Sequence, residues 1–445
     1  MRKVNLINCN WKSYSGKSRL NVNPFQPLEL CYLSAILKGH GYATKIIDLN
    51  LEPNQKIDGA DFFIITTSPA YVFWRCAPHT LRVQLETAEK IKELHPKSKV
   101  VLIGPHGTVD NSLIKHNAVD AMVRGEPEFI TLNILKKLER GEEKVVSEIG
   151  IVEQLDKLPF PDYDKSTMSR YSAFNYPLPG KPRTAALYET SRGCPYNCTY
   201  CFKTKFRNRY RRKSNQRIAD ELEKLQNEFK VDYVFFIDEN TTSHISESKE
   251  LMRELIRRKV RIKWSCETGL MFVDEELLKL MKKAGCIGIE YGLESGSATI
   301  LKNLNKPQSL KRAAEAINMT IRAGIKPWLF FIVGAPGENF RTVIESVRFL
   351  RKIDLNKVRF SADVPFPYPT TKLYEIAVKE GKVPKDRIDW ESLIRIAGTI
   401  GNNLSKARVR LYKIMFLVIL AASTPRWSVP YALKSPVRIF KRIIQ

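Results

Sequence analysis

The sequence predicts an α/β protein made of two successive runs of alternating strand and helix, followed by a helical, strongly basic C-terminal region. Three observations predict it. Residues 1 to about 145 alternate short apolar runs with stretches of helical period, the pattern of a parallel, doubly wound, Rossmann-like sheet. Residues 146–184 carry Pro159, Pro161, Pro177, Pro179 and Pro182, a stiff connection with no core of its own. From Ala185 to about 385 the strand-then-helix pattern resumes for six units, which make a partial (β/α)6 barrel open on one side.

In the first run Val4 to Asn8 reads as a strand. Leu28 to Lys38 carries Leu30, Leu33, Ile36 and Leu37 at helical spacing, opens behind Pro27 and stops at Gly39-His40-Gly41. Strands follow at Thr44 to Leu49, Asp61 to Thr66 and Lys99 to Ile103, the last two separated by the helical stretch Leu81 to Leu94. Ligands bind such sheets at the carboxyl ends of the strands. Three loops lie there: Thr66-Thr67-Ser68-Pro69, Gly104-Pro105-His106-Gly107 and Arg124-Gly125-Glu126-Pro127-Glu128. Their small, polar or glycine residues let a large ligand come close to backbone.

The second run has strand signals at Ala185 to Thr190, Tyr233 to Ile237, Ile262 to Cys266, Ile287 to Tyr291, Trp328 to Val333 and Val358 to Val364. Helices lie between them. Ile218, Leu222, Leu225 and Phe229 share one face, and a helix from Asp274 opens with Glu275-Glu276 and ends at Gly285. Function collects at the carboxyl ends of barrel strands. Asp238-Glu239-Asn240, Glu267-Thr268-Gly269, Gly292-Leu293-Glu294-Ser295-Gly296 and Gly334-Ala335-Pro336-Gly337-Glu338 sit there. Glu267 and Glu338 serve equally well as helix caps.

The first of these strands runs into Thr190-Ser191-Arg192-Gly193-Cys194-Pro195-Tyr196-Asn197-Cys198-Thr199-Tyr200-Cys201, three cysteines spaced CxxxCxxC on one loop. Thiolates at such intervals hold iron–sulfur clusters. No fourth cysteine lies in the following sixty residues, so a four-iron cluster would keep one iron open for chemistry. The alternative, a zinc knuckle, wants a fourth Cys or His nearby, and the nearest histidine downstream is His244.

At these residues the sequence resembles the radical S-adenosylmethionine (SAM) superfamily, whose signature adds an aromatic residue just before the third cysteine, here Tyr200. The resemblance implies a [4Fe–4S] cluster on Cys194, Cys198 and Cys201, with SAM chelating the open iron through its amine and carboxylate. It implies cleavage of SAM to a 5′-deoxyadenosyl radical, fed by an external low-potential electron donor. It further implies that Glu294 binds the ribose, that Tyr200 lies near adenine, and that Asp238, Ser295, Gly334 and Pro336 complete the SAM contacts.

The N-terminal loops, together with Pro27-Leu28-Glu29-Leu30, look like the cobalamin-binding domain of the B12-dependent radical SAM family. That implies cobalamin contacts from Thr66, Thr67, Ser68, Gly104, Pro105, His106, Gly125 and Glu126. A DxHxxG motif is absent, which would leave the lower face of cobalt without a histidine ligand. The activity implied is methylation of an unactivated carbon of a small-molecule or lipid-linked substrate.

Three alternatives stand beside it: a radical cyclase or ring-rearranging enzyme, a methylthiotransferase-like RNA modification enzyme, and a non-catalytic membrane- or nucleic-acid-binding protein with a structural cluster. Methylthiotransferases hold a second cluster on three N-terminal cysteines. Of Cys9, Cys31 and Cys76, Cys31 falls inside a helix, and the strand ending at Thr66 has no cysteine. Cys266 and Cys286 fall on strands and read as core.

At 445 residues, 43% apolar and 27% charged, the chain reads as globular with two or three domains. Eight cysteines in so long a chain are no secreted disulfide framework, so a reducing cytoplasm is expected. The start reads as a strand rather than a signal peptide, and no run reaches the roughly 18–20 apolar residues of a membrane span.

The net charge is +26, and Ser392 to Gln445 holds ten Lys or Arg with no Asp or Glu. Such an excess suggests an anionic partner. Ile414 to Ala422 is apolar throughout, and Val437 to Ile444 mixes apolar and basic residues. A helix lying on an anionic membrane and a helical cap on the barrel both fit this composition, and nucleic acid is not expected.

Overall fold

β1 (Lys3–Asn8), buried from Val4 onward, is the strand about which the first sheet is wound. It is followed by α1 (Leu28–Gly39), β2 (Ala43–Asp48), β3 (Phe62–Thr66), α2 (Arg82–Leu94), β4 (Lys99–Ile103), α3 (Pro105–Val109), β5 (Ala121–Gly125), α4 (Ile130–Glu139) and β6 (Val145–Gly150). The strand order is β2-β1-β3-β4-β5-β6, parallel throughout. β1 lies between β2 and β3, so the chain reverses its direction of winding there, and the crevice beyond the strand ends at that point is where doubly wound folds bind ligands. The computed structural model describes residues 1–10, 25–68, 80–171, 176–178, 180–203 and 207–423. Pro69, Cys76, Pro179 and the tail from residue 424 lie outside the described residues.

The described chain packs as two units, one formed by Met1–Asn175, Gly180–Gly193 and Phe202–Glu239, the other by Tyr176–Pro179, Cys194–Cys201 and Asn240–Gln445. The first unit holds more than the first sheet. β5 and β6, which carry no clear strand signal in the sequence, extend that sheet to Gly150. The unit also takes in β7 (Ala185–Tyr188), β8 (Ser191–Arg192), β9 (Arg211–Arg212), α5 (Asn215–Glu228) and β10 (Tyr233–Phe236). β7 and β10 pair in parallel, while β8 and β9 form an antiparallel pair. The side-chain amide of Gln26 binds β7, accepting from Leu187 N–H and donating to Ala185 O.

The second unit repeats strand and helix: α6 (Ile245–Arg257), β11 (Lys263–Thr268), α7 (Glu275–Lys283), β12 (Cys286–Glu294), α8 (Ala298–Asn303), α9 (Leu310–Arg322), β13 (Lys326–Ile332), α10 (Phe340–Leu350) and β14 (Arg359–Asp363). Neighbouring strands β11 to β14 pair in parallel in sequence order. Local chemistry sets the helix ends. Asp274 caps α7 by accepting from Leu277 N–H at 2.8 Å, and Gly285 ends the segment at φ +100°. Asn339 and Thr342 form a capping box on α10.

α11 (Lys372–Lys379), α12 (Trp390–Ile396) and α13 (Lys406–Ser423) complete the unit. Phe416 of α13 packs on Phe331 with ring centroids 4.7 Å apart, and Lys413 reaches Asp363 at 3.3 Å. No helix of the described residues is long and apolar enough to cross a membrane.

Candidate functional site

The cysteine loop leaves β7 through Glu189-Thr190 and β8. Asp238, buried just beyond β10, accepts from Thr190 N–H and Ser191 N–H, each at 2.7 Å, and from the Thr190 hydroxyl at 2.6 Å. Burial pushes its carboxyl up to about 6 against those bonds. Glu239 accepts from Gly193 N–H at 2.9 Å. Gly193 stands at φ +87°, and a Cβ there would collide with the Arg209 carbonyl oxygen, so only glycine fits. The acids after β10 therefore set the backbone immediately ahead of Cys194. Asp238, which the sequence suggested as a ligand contact, holds Thr190 and Ser191 here.

Within the second unit, Thr199 N–H donates to Leu304 O and Thr199 O accepts from Leu373 N–H, while Asn305 holds Asn197 O. The Tyr196 ring rests on Phe272. Beside this loop the Tyr200 hydroxyl donates to Glu294 Oε1 at 2.7 Å, and Lys306 Nζ reaches the same oxygen at 3.1 Å. Glu294 ends β12 at φ +63°, a strained conformation for a residue with a side chain. The pairing of β12 with β13 slips between Gly292 and Glu294, the kind of irregularity that re-aims a side chain.

Burial raises the Tyr200 hydroxyl well above its ordinary range, helped by Glu294 and Cys198. For Lys306 burial works downward, but Glu294 and the Cys198 and Cys194 thiols outweigh it and raise the amine, which stays charged. Lys306 was not among the residues singled out from the sequence. It follows α8 rather than a strand end, and only the fold brings it to Glu294.

Ser295 and the Gly334–Glu338 turn line the ends of β12 and β13. The Ser295 hydroxyl meets Ser346 at 3.0 Å and caps Ser297 N–H. Gly334 stands at φ +88°, its N–H given to the Glu338 carboxylate and its carbonyl held by Asn402. Asn303 donates to Pro336 O at 2.9 Å. Burial pushes Glu338 up to about 7.

The loops at the carboxyl edge of the first sheet are laced together. Thr66 Oγ1 donates to Glu29 Oε2 at 2.7 Å and accepts from Ser68 N–H at 3.1 Å. Gly104 stands at φ +106°, and a Cβ on it would lie 2.6 Å from Thr67 Oγ1, so the loops after β3 and β4 touch only because it is glycine. Pro105 opens α3, in which His106 is fully buried with its N–H 3.5 Å from Thr67 Oγ1. The Thr108 hydroxyl accepts from Gly125 N–H at 2.9 Å.

Glu126 behaves differently. Arg211 grips it through two nitrogens at 2.7 and 2.8 Å, and Arg192 and Arg207 lie 3.4 Å away. Burial opposes the ionised form, and Arg192, Arg211 and Arg207 together hold the carboxyl down to about 2.

The residues fit the groups that the sequence suggested. Among the described residues no three His, Cys, Asp or Glu side chains are gathered as they would be about one metal ion. A four-iron cluster does not ask for that, since each thiolate binds its own iron. At the first sheet's carboxyl edge, Asn50 past β2 and Gln84 in the first turn of α2 are buried with neither amide atom hydrogen-bonded. Buried amides in that state favour a polar ligand, and cobalamin carries carboxamides around its rim. Cys9 is buried at the end of β1 with its thiol pushed up to about 12, and Cys31 is buried inside α1.

The radical SAM superfamily matches residues 188–350, which contain the cysteine loop, Glu294 and Lys306, and the B12 binding domain matches residues 22–133, which contain most of the first sheet. The chain is a B12-binding-domain-containing radical SAM protein. It is 27% identical over 370 residues to an uncharacterized methyltransferase of Pyrococcus horikoshii, covering 79% of this chain and 78% of the relative. It is 27% identical to the anaerobic magnesium-protoporphyrin IX monomethyl ester cyclase of Rubrivivax gelatinosus, over 80% and 67% of the two chains.

The cytidylyl-2-hydroxyethylphosphonate methyltransferase of Streptomyces wedmorensis is 25% identical over 87% of each chain. Among solved structures, the radical SAM methyltransferase TsrM of Kitasatospora setae superposes with a TM-score of 0.64 at 19% identity, over 86% of this chain and 77% of TsrM. That likeness speaks for the fold. A [4Fe–4S] cluster, SAM and cobalamin are the cofactors of this radical SAM protein.

Proposed function

We propose that this radical SAM protein methylates an unactivated carbon of a small-molecule or lipid-linked substrate, using cobalamin as methyl carrier. The observation that carries the reading is the group Tyr200–Glu294–Lys306 beside a three-cysteine loop, in a chain that also holds a B12-binding sheet. Two relatives named as methyltransferases support it. When bound, the cofactors would supply the reductive cleavage of SAM, the hydrogen abstraction and the delivery of a methyl group.

The chain's own part is binding and orientation. Cys194, Cys198 and Cys201 would hold the cluster, and Asp238 and Glu239 brace the backbone ahead of them. Glu294, fixed from two sides, offers a carboxylate to ribose hydroxyls. Lys306 offers a cation to the SAM carboxylate or to the reduced cluster. Thr66 to Ser68, Gly104 to His106, Gly125, Asn50 and Gln84 would border cobalamin.

The test is anaerobic reconstitution with iron, sulfide, SAM, hydroxocobalamin and a low-potential reductant. Formation of 5′-deoxyadenosine together with methylcobalamin is expected. The relative named as a cyclase favours a second reading, radical cyclisation without methyl transfer. Under that reading 5′-deoxyadenosine forms and the corrinoid gains no methyl group.

We further place the protein peripherally on an anionic membrane surface. The support is α13, which exposes Leu411 and Val418 beside the exposed Lys406, Arg408 and Arg410. Flotation with anionic and neutral vesicles tests this.

A further inference from the structure

One buried cluster in the first unit gathers the carboxylates of Glu126, Glu128, Glu189 and Glu239 and the guanidinium groups of Arg192, Arg207 and Arg211; each of these side chains is at most 5% exposed. Arg192 donates to Glu128 at 2.6 Å and to Glu189 at 2.7 Å, and it lies 3.4 Å from Glu126. Arg207 donates to Glu239 at 2.5 Å. Arg211 clasps Glu126 and also donates to Val152 O at 2.6 Å. Taking this many charges out of water is seldom a net gain in stability, and the recurrent use of such sets is to hold one geometry.

The origin of the charges suggests which geometry. Glu126 and Glu128 belong to the turn after β5, on the edge where Gly125 and Thr108 lace the cobalamin-side loops. Arg192 stands two residues before Cys194, and Arg207 and Arg211 follow Cys201. Glu239 takes both Arg207 and Gly193 N–H. A single carboxylate, Glu126, therefore meets arginines from both flanks of the cysteine loop.

We propose that Glu126 is a positioning residue shared by the two cofactor sites: through Arg192, Arg207 and Arg211 it ties the turn after β5 to both flanks of the cysteine loop, so that corrinoid binding at that edge is felt by the cluster. The inference rests on the cofactor assignment made above. The carboxylate is not itself a ligand of either group. It acts through the arginines it holds.

The test uses the full-length protein reconstituted with iron and sulfide, read by the EPR spectrum of the reduced cluster with and without hydroxocobalamin, and by absorbance titration of hydroxocobalamin. Wild type is compared with Glu126→Gln and with Glu153→Gln, which breaks only the exposed pair of Glu153 with Arg209. Hydroxocobalamin is expected to change the cluster spectrum of wild type and Glu153→Gln alike. Glu126→Gln should lose that response and bind the corrinoid at least about ten-fold more weakly.

A Glu126→Gln protein with wild-type affinity and wild-type response overturns the proposal, as does a wild-type cluster indifferent to bound corrinoid. A wild type that takes up no corrinoid or cluster sinks the cofactor reading itself. Should Glu126→Gln not fold, Arg211→Lys decides, because it keeps the charge and loses the two-point grip. A reduced response supports the proposal, and a full one overturns it.

Discussion

The Tyr200 hydroxyl donates to Glu294 Oε1 at 2.7 Å across 94 residues of sequence, joining the cysteine loop to the bulged end of β12. The contact holds a carboxylate whose own backbone is strained at φ +63°. A hydrogen bond to a charged group contributes about 1.5–3 kcal/mol. Tyr200→Phe should therefore weaken SAM binding by roughly ten-fold or more while leaving iron and sulfide per chain unchanged, as read by equilibrium dialysis and metal analysis. Unaltered SAM affinity would mean that Lys306 alone suffices to aim Glu294.

Lys306 keeps its charge although partly buried, because Glu294 and the cysteine thiols outweigh the cost of burial. A cation there favours the more negative, reduced cluster. Lys306→Met should lower the cluster's midpoint potential, on the order of tens of millivolts for one nearby unit charge. Lys306→Arg should largely preserve it. Potentiometric titration followed by EPR makes the measurement, and equal potentials in all three proteins would remove Lys306 from the electrostatics of the site.

Glu338 yields a prediction about pH. Burial raises its carboxyl to about 7 in the folded protein, from 4.5 as the ordinary value. Between those two values the folded state keeps a proton that the unfolded state has released. Stability from this group is thus full below about pH 4.5 and is lost as pH rises through 7. Glu338→Gln keeps an acceptor for Gly334 N–H and removes the titration. The variant should lose less stability than wild type between pH 5 and pH 8, by on the order of 2 kcal/mol, in denaturant melts at the two pH values. A wild-type slope in the variant would show that the charge is better accommodated than its burial suggests.

The fold was legible because strands β1, β3 and β4 and helices α1 and α2 announce themselves by apolar runs and by helical spacing with Pro27 and Gly39 as punctuation. β5 was not, since Arg124 breaks an already short run and only pairing with β4 and β6 makes it a strand. The cysteine loop and Glu294 were legible as a motif. What the motif does not carry is direction. An acid at a strand end looks the same in sequence whether it faces a ligand or a neighbouring loop, and Asp238 and Glu126 both turned out to grip chain: Asp238 holds Thr190 and Ser191, Glu126 holds Arg211. Lys306 was invisible because nothing local marks it. Its meaning comes from a carboxylate twelve residues earlier, on the far side of α8.

α13 carries a packed face and an exposed apolar pair on a single helix. Phe416 and Val409 face inward, Phe416 onto Phe331, whereas Leu411 and Val418 are each 52% exposed. Phe416→Ala removes a buried ring and should cost about 3 kcal/mol or more of stability. Leu411→Ser with Val418→Ser removes no buried contact and should leave the melting temperature within a degree or two, a surface change being worth only about 0.5 kcal/mol. If the exposed pair enters a headgroup layer, the double variant should float poorly with anionic vesicles although it folds as wild type does. If it floats as wild type does, the apolar face plays no part, and the attraction left is that of the basic residues alone, which salt at about 0.5 M should abolish because it shortens the screening length to a few ångströms.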